Sequence, residues 1–206
     1  MKKVGSIAGV VAFAAVFVAL LLFVKDQFGF KQVPYTCGTM TGNIYMSTLM
    51  QYKFTVPEGC GMAELEELAK DTGIVTAGKS EEQIMAELVK EREIIDLKAE
   101  MPSGVTVIVD ANMDSMVTEK RLEFVTKDMM ETLRQSGFIM QGDAVETTFC
   151  GKKACLVECT QTAYGQVIKQ ECYVMATDGC AYAFMFIYTD DTVADKELLK
   201  NAFSPL

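Results

Sequence analysis

Between Gly137 and Thr189 the sequence reads as consecutive β-strands joined by tight turns at Gly151, Tyr164-Gly165 and Asp178-Gly179. Turns this short bring the chain straight back on itself, so the strands pair antiparallel as a meander. The same stretch holds five of the seven cysteines: Cys150, Cys155, Cys159, Cys172 and Cys180. Such a cluster raises the question of a metal or redox centre. None of the spacings is Cys-x-x-Cys, so neither a zinc ribbon nor a thioredoxin-type pair is signalled.

Cys155 and Cys159 fall four apart on one strand and so share a face. At about 3.3 Å per residue their backbones lie roughly 13 Å apart, too far for a shared metal or a disulfide. If the Tyr164-Gly165 hairpin sets residue 157 opposite residue 172, Cys172 lies diagonally between them. The rest of that face is Val157, Val174, Ala176, Ala181, Ala183, Met185 and Ile187, the surroundings of a buried, inert thiol. The opposite face carries Tyr182, Phe184, Phe186 and Tyr188 in alternation, with Cys180 at its edge, and reads as a surface against which helices pack. Cys155, Cys159 and Cys172 are the thiols left as an alternative redox or metal site. Cys37 and Cys60, flanking the first hairpin, would form a bridge only in an oxidising space.

At the other end, Val4 to Val24 is a run of 21 residues without a charge. As a helix it would be about 31 Å long, matching a bilayer core of about 30 Å. The run is longer than the apolar core of a cleaved signal peptide and lacks an Ala-x-Ala-like site. It is therefore expected to be a transmembrane anchor. Lys2 and Lys3 precede it, whereas Lys25 and Asp26 nearly cancel after it, and Lys31 weakens the asymmetry. Positive charge on the short side places that tail in the cytoplasm and the remainder outside, in the cell membrane as a single-pass protein. The reversed topology, a tethered intracellular domain, is the alternative. The expected organisation is an anchor over 1–30, a linker over 31–41 and one α+β domain over 42–206.

Beyond the apolar run, 17 basic residues face 28 acidic ones, a net of −11. A surface of that sign repels phosphate backbones and anionic headgroups, so nucleic acid is not an expected partner. The chain contains no histidine. That removes Ser-His-Asp and Cys-His activation of a nucleophile, mixed Cys/His zinc sites and the usual switch near neutral pH.

Gly42 to Met46 and Gln51 to Val56 alternate as two strands, the second stopped by Pro57-Glu58-Gly59. Ala63 to Lys70 reads as a short helix. Ser80-x-x-Gln83 is a capping box that opens another, with Ile84 and Leu88 on its apolar face. Arg92 to Glu100 and Val105 to Asp110 flank the turn Met101-Pro102-Ser103-Gly104. Thr118 opens the longest helix, with Leu122, Val125, Met129 and Leu133 in one stripe and Gly137 as its stop. Asp191 is expected to cap a last helix that turns Val193, Leu198 and Phe203 inward.

The carboxylates offer no catalytic handle. Glu64, Glu66, Glu67, Glu81 and Glu82 fit solvated helix faces. Asp110-x3-Asp114 lacks the alternating oxygen ligands of a calcium loop, and Asp143 and Glu146 are isolated. No cofactor-binding, metal-binding or catalytic residue is assigned.

This order of elements defines an α+β domain, a central antiparallel sheet flanked by helices. It also resembles the Mog1/PsbP-like fold family, which includes bacterial membrane-tethered members. Four places carry the resemblance: Asn43 to Gly59 (NIYMSTLMQYKFTVPEG), the hairpin Arg92 to Asp110, the helix Thr118 to Gly137, and the closing pattern Val145 to Pro205. Cys60 stands where an aromatic commonly follows Pro-Glu-Gly, so no role of that aromatic carries over. The resemblance implies a protein that binds proteins, scaffolds complexes or associates with membrane assemblies, with no shared catalytic constellation. A membrane-anchored, extracytoplasmic, non-enzymatic binding or scaffold protein is therefore expected, with another protein as its partner and no cofactor.

Overall fold

The computed structural model of the chain describes residues 34–163 and 165–206. The expected anchor lies outside the described residues. Among the described residues no helix is long and apolar enough to cross a membrane.

Among the described residues twelve strands form two sheets, and their pairings are antiparallel. The smaller sheet has the order β1 (Thr39–Thr41), β2 (Ile44–Ser47), β3 (Tyr52–Thr55), β12 (Phe203–Pro205). The larger sheet runs β4 (Gly61–Met62), β5 (Glu93–Glu100), β6 (Thr106–Met113), β11 (Cys180–Tyr188), β10 (Gln166–Thr177), β9 (Lys152–Ala163), β7 (Ile139–Met140). Its outer strand β9 also pairs with β8 (Val145–Phe149). Among the described residues four α-helices accompany the sheets: α1 (Leu65–Asp71), α2 (Glu81–Leu88), α3 (Leu122–Gln135) and α4 (Val193–Asn201).

Side-chain alternation along the large sheet explains the layers. Val109, Phe184, Tyr173 and Leu156 make one cross-strand row, and Ile108, Met185, Cys172 and Val157 the next. The first row turns toward the small sheet, α2 and α4, and the second toward α3. Residues one apart in a strand point to opposite faces, so two cores are built from one set of strands. On the first face Phe184 is enclosed by Tyr52, Phe149 and Phe203, with ring centroids 5.1, 5.0 and 5.0 Å away. On the second, Leu122, Met129, Met130 and Leu133 of α3 cover Cys159, Cys172 and Val174.

Several expectations are corrected. The aromatic stripe Tyr182, Phe184, Phe186 packs chiefly on a second sheet, which was not foreseen as a separate layer. The span 31–41 is not wholly a linker: Tyr35 is buried in the core and β1 belongs to the small sheet. On α4 it is Lys196 and Leu199 that are buried, while Val193 and Leu198 are exposed and Phe203 lies on β12. The helix is turned because Lys196 reaches the enclosed Glu171 carboxylate at 2.6 Å, a contact that a search for apolar positions passes over. Nor does Asp191 cap the helix. The Thr189 amide instead donates to Thr192 Oγ1 at 3.0 Å, in a short 3-10 turn ahead of it. By contrast the Ser80 box forms as expected, with Gln83 N donating to Ser80 Oγ and Ser80 N to Gln83 Oε1.

Phe184 sits where both sheets meet, so truncating it leaves a void that neither sheet can collapse to fill. Phe184→Ala is expected to cost about 3–5 kcal/mol, read as a shift of the urea midpoint.

Candidate functional site

The residues with chemical potential form separate buried polar groups rather than one pocket. The most enclosed is Asp96, set between apolar neighbours in Ile94-Ile95-Asp96-Leu97 of β5. The β5–β6 register slips by one residue between Ile95 and Leu97. That bulge lets both Ile94 and Leu97 join the first core while Asp96 is carried inward with them. Tyr35 OH and Tyr52 OH each donate to the Asp96 carboxylate at 2.6 Å, and Tyr45 OH donates to its backbone carbonyl at 2.8 Å. Burial pushes the Asp96 carboxyl up, and the hydroxyls of Tyr35, Tyr52, Tyr45 and Ser47 pull it back. The same burial, with the Asp96 charge next, raises all three tyrosines. Gly38 passes so close that a Cβ there would fall 2.2 Å from the Tyr45 ring. Glycine is thus required for packing, not for an unusual backbone angle.

A second group joins α4 to the sheet. Lys196 Nζ lies 2.6 Å from Glu171 Oε1 and 2.6 Å from Glu197 Oε1, and Tyr188 OH donates to Glu171 at 3.0 Å. Burial opposes the Lys196 charge, but these hydrogen bonds outweigh it and hold the ammonium above its ordinary value. Lys98 repeats the device at the other edge. Its Nζ lies 2.8 Å from both Glu67 and Asp71, which tie α1 to β5. Lys98 also lines a shallow cleft of about 340 Å3, together with Gly59, Met62, Glu67, Glu100 and Pro102.

The thiols lie elsewhere. Cys155, Cys159 and Cys172 are brought to one face, beneath α3, and are buried. Cys172 stands opposite Val157, Cys155 opposite Val174 and Cys159 opposite Gln170. Gln170 Nε2 donates to Cys172 Sγ at 3.1 Å. Burial pushes the Cys159 thiol up to about 12; burial, then the nearby Cys159, pushes Cys172 up as well. A thiol held protonated is a poor nucleophile and a poor metal ligand. Among the described residues no three His, Cys, Asp or Glu side chains converge as metal ligands. All seven cysteines carry free thiols: Cys37 borders the Tyr35–Asp96 group, and Cys60 Sγ donates to the Gly61 carbonyl at 3.6 Å.

Asp96, Lys98, Glu171 and Lys196 escaped the sequence reading. The available signal was a charge set among apolar residues within a strand, as in Ile94-Ile95-Asp96-Leu97. Alternation alone does not say which face is doubly covered, so that signal stays silent until the partners are known. Chemically, each group is closed on itself: hydroxyls on a carboxylate, ammonium on carboxylates. Such arrangements hold one element of the fold against another.

No family model matches the sequence, and no curated protein matches it. Solved structures do. The solution structure of the cyanobacterial PsbP protein CyanoP, from Synechocystis, aligns with a TM-score of 0.51 at 13% identity, over 84% of this chain and 98% of that one. A Bacteroides thetaiotaomicron protein aligns with a TM-score of 0.46 at 9% identity. That alignment takes in 81% of this chain and 49% of the other, so the present chain spans about half its length. LpqN, involved in cell envelope biogenesis of Mycobacterium tuberculosis, aligns with a TM-score of 0.42 at 14% identity over 86% and 91% of the two chains. The CyanoP likeness shows the fold, a PsbP/Mog1-like one: α+β, with antiparallel sheets and packed helices.

Two outcomes follow from these groups. Tyr35→Phe removes a donor to an enclosed carboxylate and is expected to cost about 1.5–3 kcal/mol in urea unfolding, with Gly38→Val at least as damaging. A disulfide-exchange reagent is expected to leave Cys155, Cys159, Cys172 and Cys180 unreacted in the native chain. In denaturant without reductant it should titrate all seven thiols.

Proposed function

We propose that this chain is a non-catalytic, membrane-anchored extracytoplasmic protein whose PsbP/Mog1-like domain binds or scaffolds another protein. The observation that carries the reading is the pairing of that fold with the uncharged run Val4–Val24 in front of it. Lys2 and Lys3 before the run favour a cytoplasmic tail and an external domain. The resemblance of the fold family to protein-binding and scaffolding members supplies the class of activity, by analogy of fold. The internal pairing of Asp96, Lys98, Glu171 and Lys196 agrees with a scaffold, because each spends its polarity on joining one element to another. Net negative charge favours a protein partner over nucleic acid.

The thiol-based alternative draws less support. It asks Cys155, Cys159 and Cys172 to work as thiolates from an apolar layer in which burial holds Cys159 and Cys172 protonated. Replacing all three by serine would abolish a bound metal or a redox couple if that alternative held.

Two measurements test the proposal. Protease added to intact cells is expected to digest the domain; protection of the domain would establish the reversed topology. Affinity capture from solubilised membranes is expected to recover a partner with the full chain and not with a version deleted for residues 42–206. Equal recovery by both would end the scaffold reading.

A further inference from the structure

Asp110 lies on β6 opposite Ile95, at the step where β5 bulges. Its cross-strand row continues through Ala183, Val174 and Cys155, all in the apolar layer beneath α3. Only 4% of Asp110 is exposed, and its Oδ1 is enclosed with no hydrogen-bond partner. Glu93 is its diagonal neighbour, opposite Asn112, whose Nδ2 donates to Glu93 Oε1 at 3.4 Å. Arg92 Nε donates to Asn112 Oδ1 and its Nη2 to Asp114. From β11 come Ala181 and Ala183, and the Cys180 thiol also senses Asp110. Toward this side the first turn after α1 brings Thr72, a neutral hydroxyl that reaches Ile95 N at 3.5 Å.

A carboxylate in an apolar row, beside a second carboxylate and with one oxygen left without a donor, is costly, and a proton removes the cost of the buried charge. We infer that Asp110 is a proton-binding site: the folded chain holds it as a neutral carboxylic acid beside Glu93, and losing the proton weakens the fold. Burial first, then the Glu93 charge, push this carboxyl up to about 7 against the pull of a hydrogen bond from the Ala111 amide. The sign follows from comparison with the unfolded chain, where Asp releases its proton near 3.9. Between roughly pH 4 and pH 7 the folded state keeps a proton that the unfolded state has lost, so stability falls as pH rises through that window. Below it both states are protonated and above it both are ionised, so the contribution is flat at either end. The domain therefore tightens as its surroundings acidify.

Asp96, which is also buried and raised, adds a slope of the same sign, so the test is a difference between variants. The full chain in neutral detergent would be unfolded with urea at pH 5 and pH 7, followed by tyrosine fluorescence, beside Asp110→Asn. The unfolding constant of the unaltered chain is expected to rise about 50-fold more over that interval than that of the variant. Parallel responses would overturn the inference. A gap between the two that depends on sodium concentration at fixed pH would also overturn it, by making the occupant a bound cation. Should Asp110→Asn fail to fold, the carboxyl carbon-13 resonance of Asp110 in the unaltered chain decides. A midpoint near 7 upholds the proton site, and one in the ordinary aspartate range removes it.

Discussion

The bulge that turns Asp96 into the first core is the constraint on which the two-sheet arrangement depends. A buried carboxylate is intolerable without donors, and two of its donors, Tyr35 and Tyr52, come from the segment that forms or leads into the small sheet. Meeting that demand brings the small sheet over the large one in one orientation. Tyr45 then closes the third side through the Asp96 carbonyl, with Gly38 leaving room for its ring. Breaking such a group by removing one partner costs far more than the group contributes relative to an apolar core. Its role is to specify which surfaces meet.

Apolar packing supplies the bulk of the stabilisation once the layers are aligned. Phe149, Phe184 and Phe203 come from β8, β11 and β12, strands distant in sequence, and their rings lie within 6 Å of one another. Edge-to-face geometry adds to what burial provides. Closure by Phe203 links the last residues of the chain to β3, and Lys196–Glu171 holds the preceding helix against β10. The C-terminal segment is thus pinned by one apolar and one ionic contact a few residues apart.

Charge inside the domain falls into two kinds. Asp96, Lys98, Glu171 and Lys196 are satisfied by hydroxyls or opposite charges and hold elements together. Asp110 has no such partner for its Oδ1 and lies on the reverse side of the same bulge. One strand irregularity therefore has a fully hydrogen-bonded carboxylate on one face and a carboxyl with an unpartnered oxygen on the other. The first accounts for the architecture, and the second gives that architecture a dependence on pH.

Short-range chemistry was legible from residues alone. The turns at Gly151 and Asp178-Gly179, the Ser80–Gln83 box, the stripe on α3 and the opposition of Val157 to Cys172 all rest on contacts within a hairpin or a helical turn. The sharing of one face by Cys155, Cys159 and Cys172 followed from period-two alternation in the same way. Long-range chemistry was not legible. That Phe203 forms a strand beside β3, that Tyr35 belongs to the core, and that Lys196 rather than Val193 faces inward all depend on a partner 25 or more residues away. A charge on an amphipathic segment looks like a solvated face until its counter-charge is known. The sequence by itself determined the long hairpin strands, the helices and the acidic, histidine-free chemistry; only the tertiary structure decided the short edge strands and which ionisable groups are buried, because burial belongs to the pairing of surfaces and not to either surface alone.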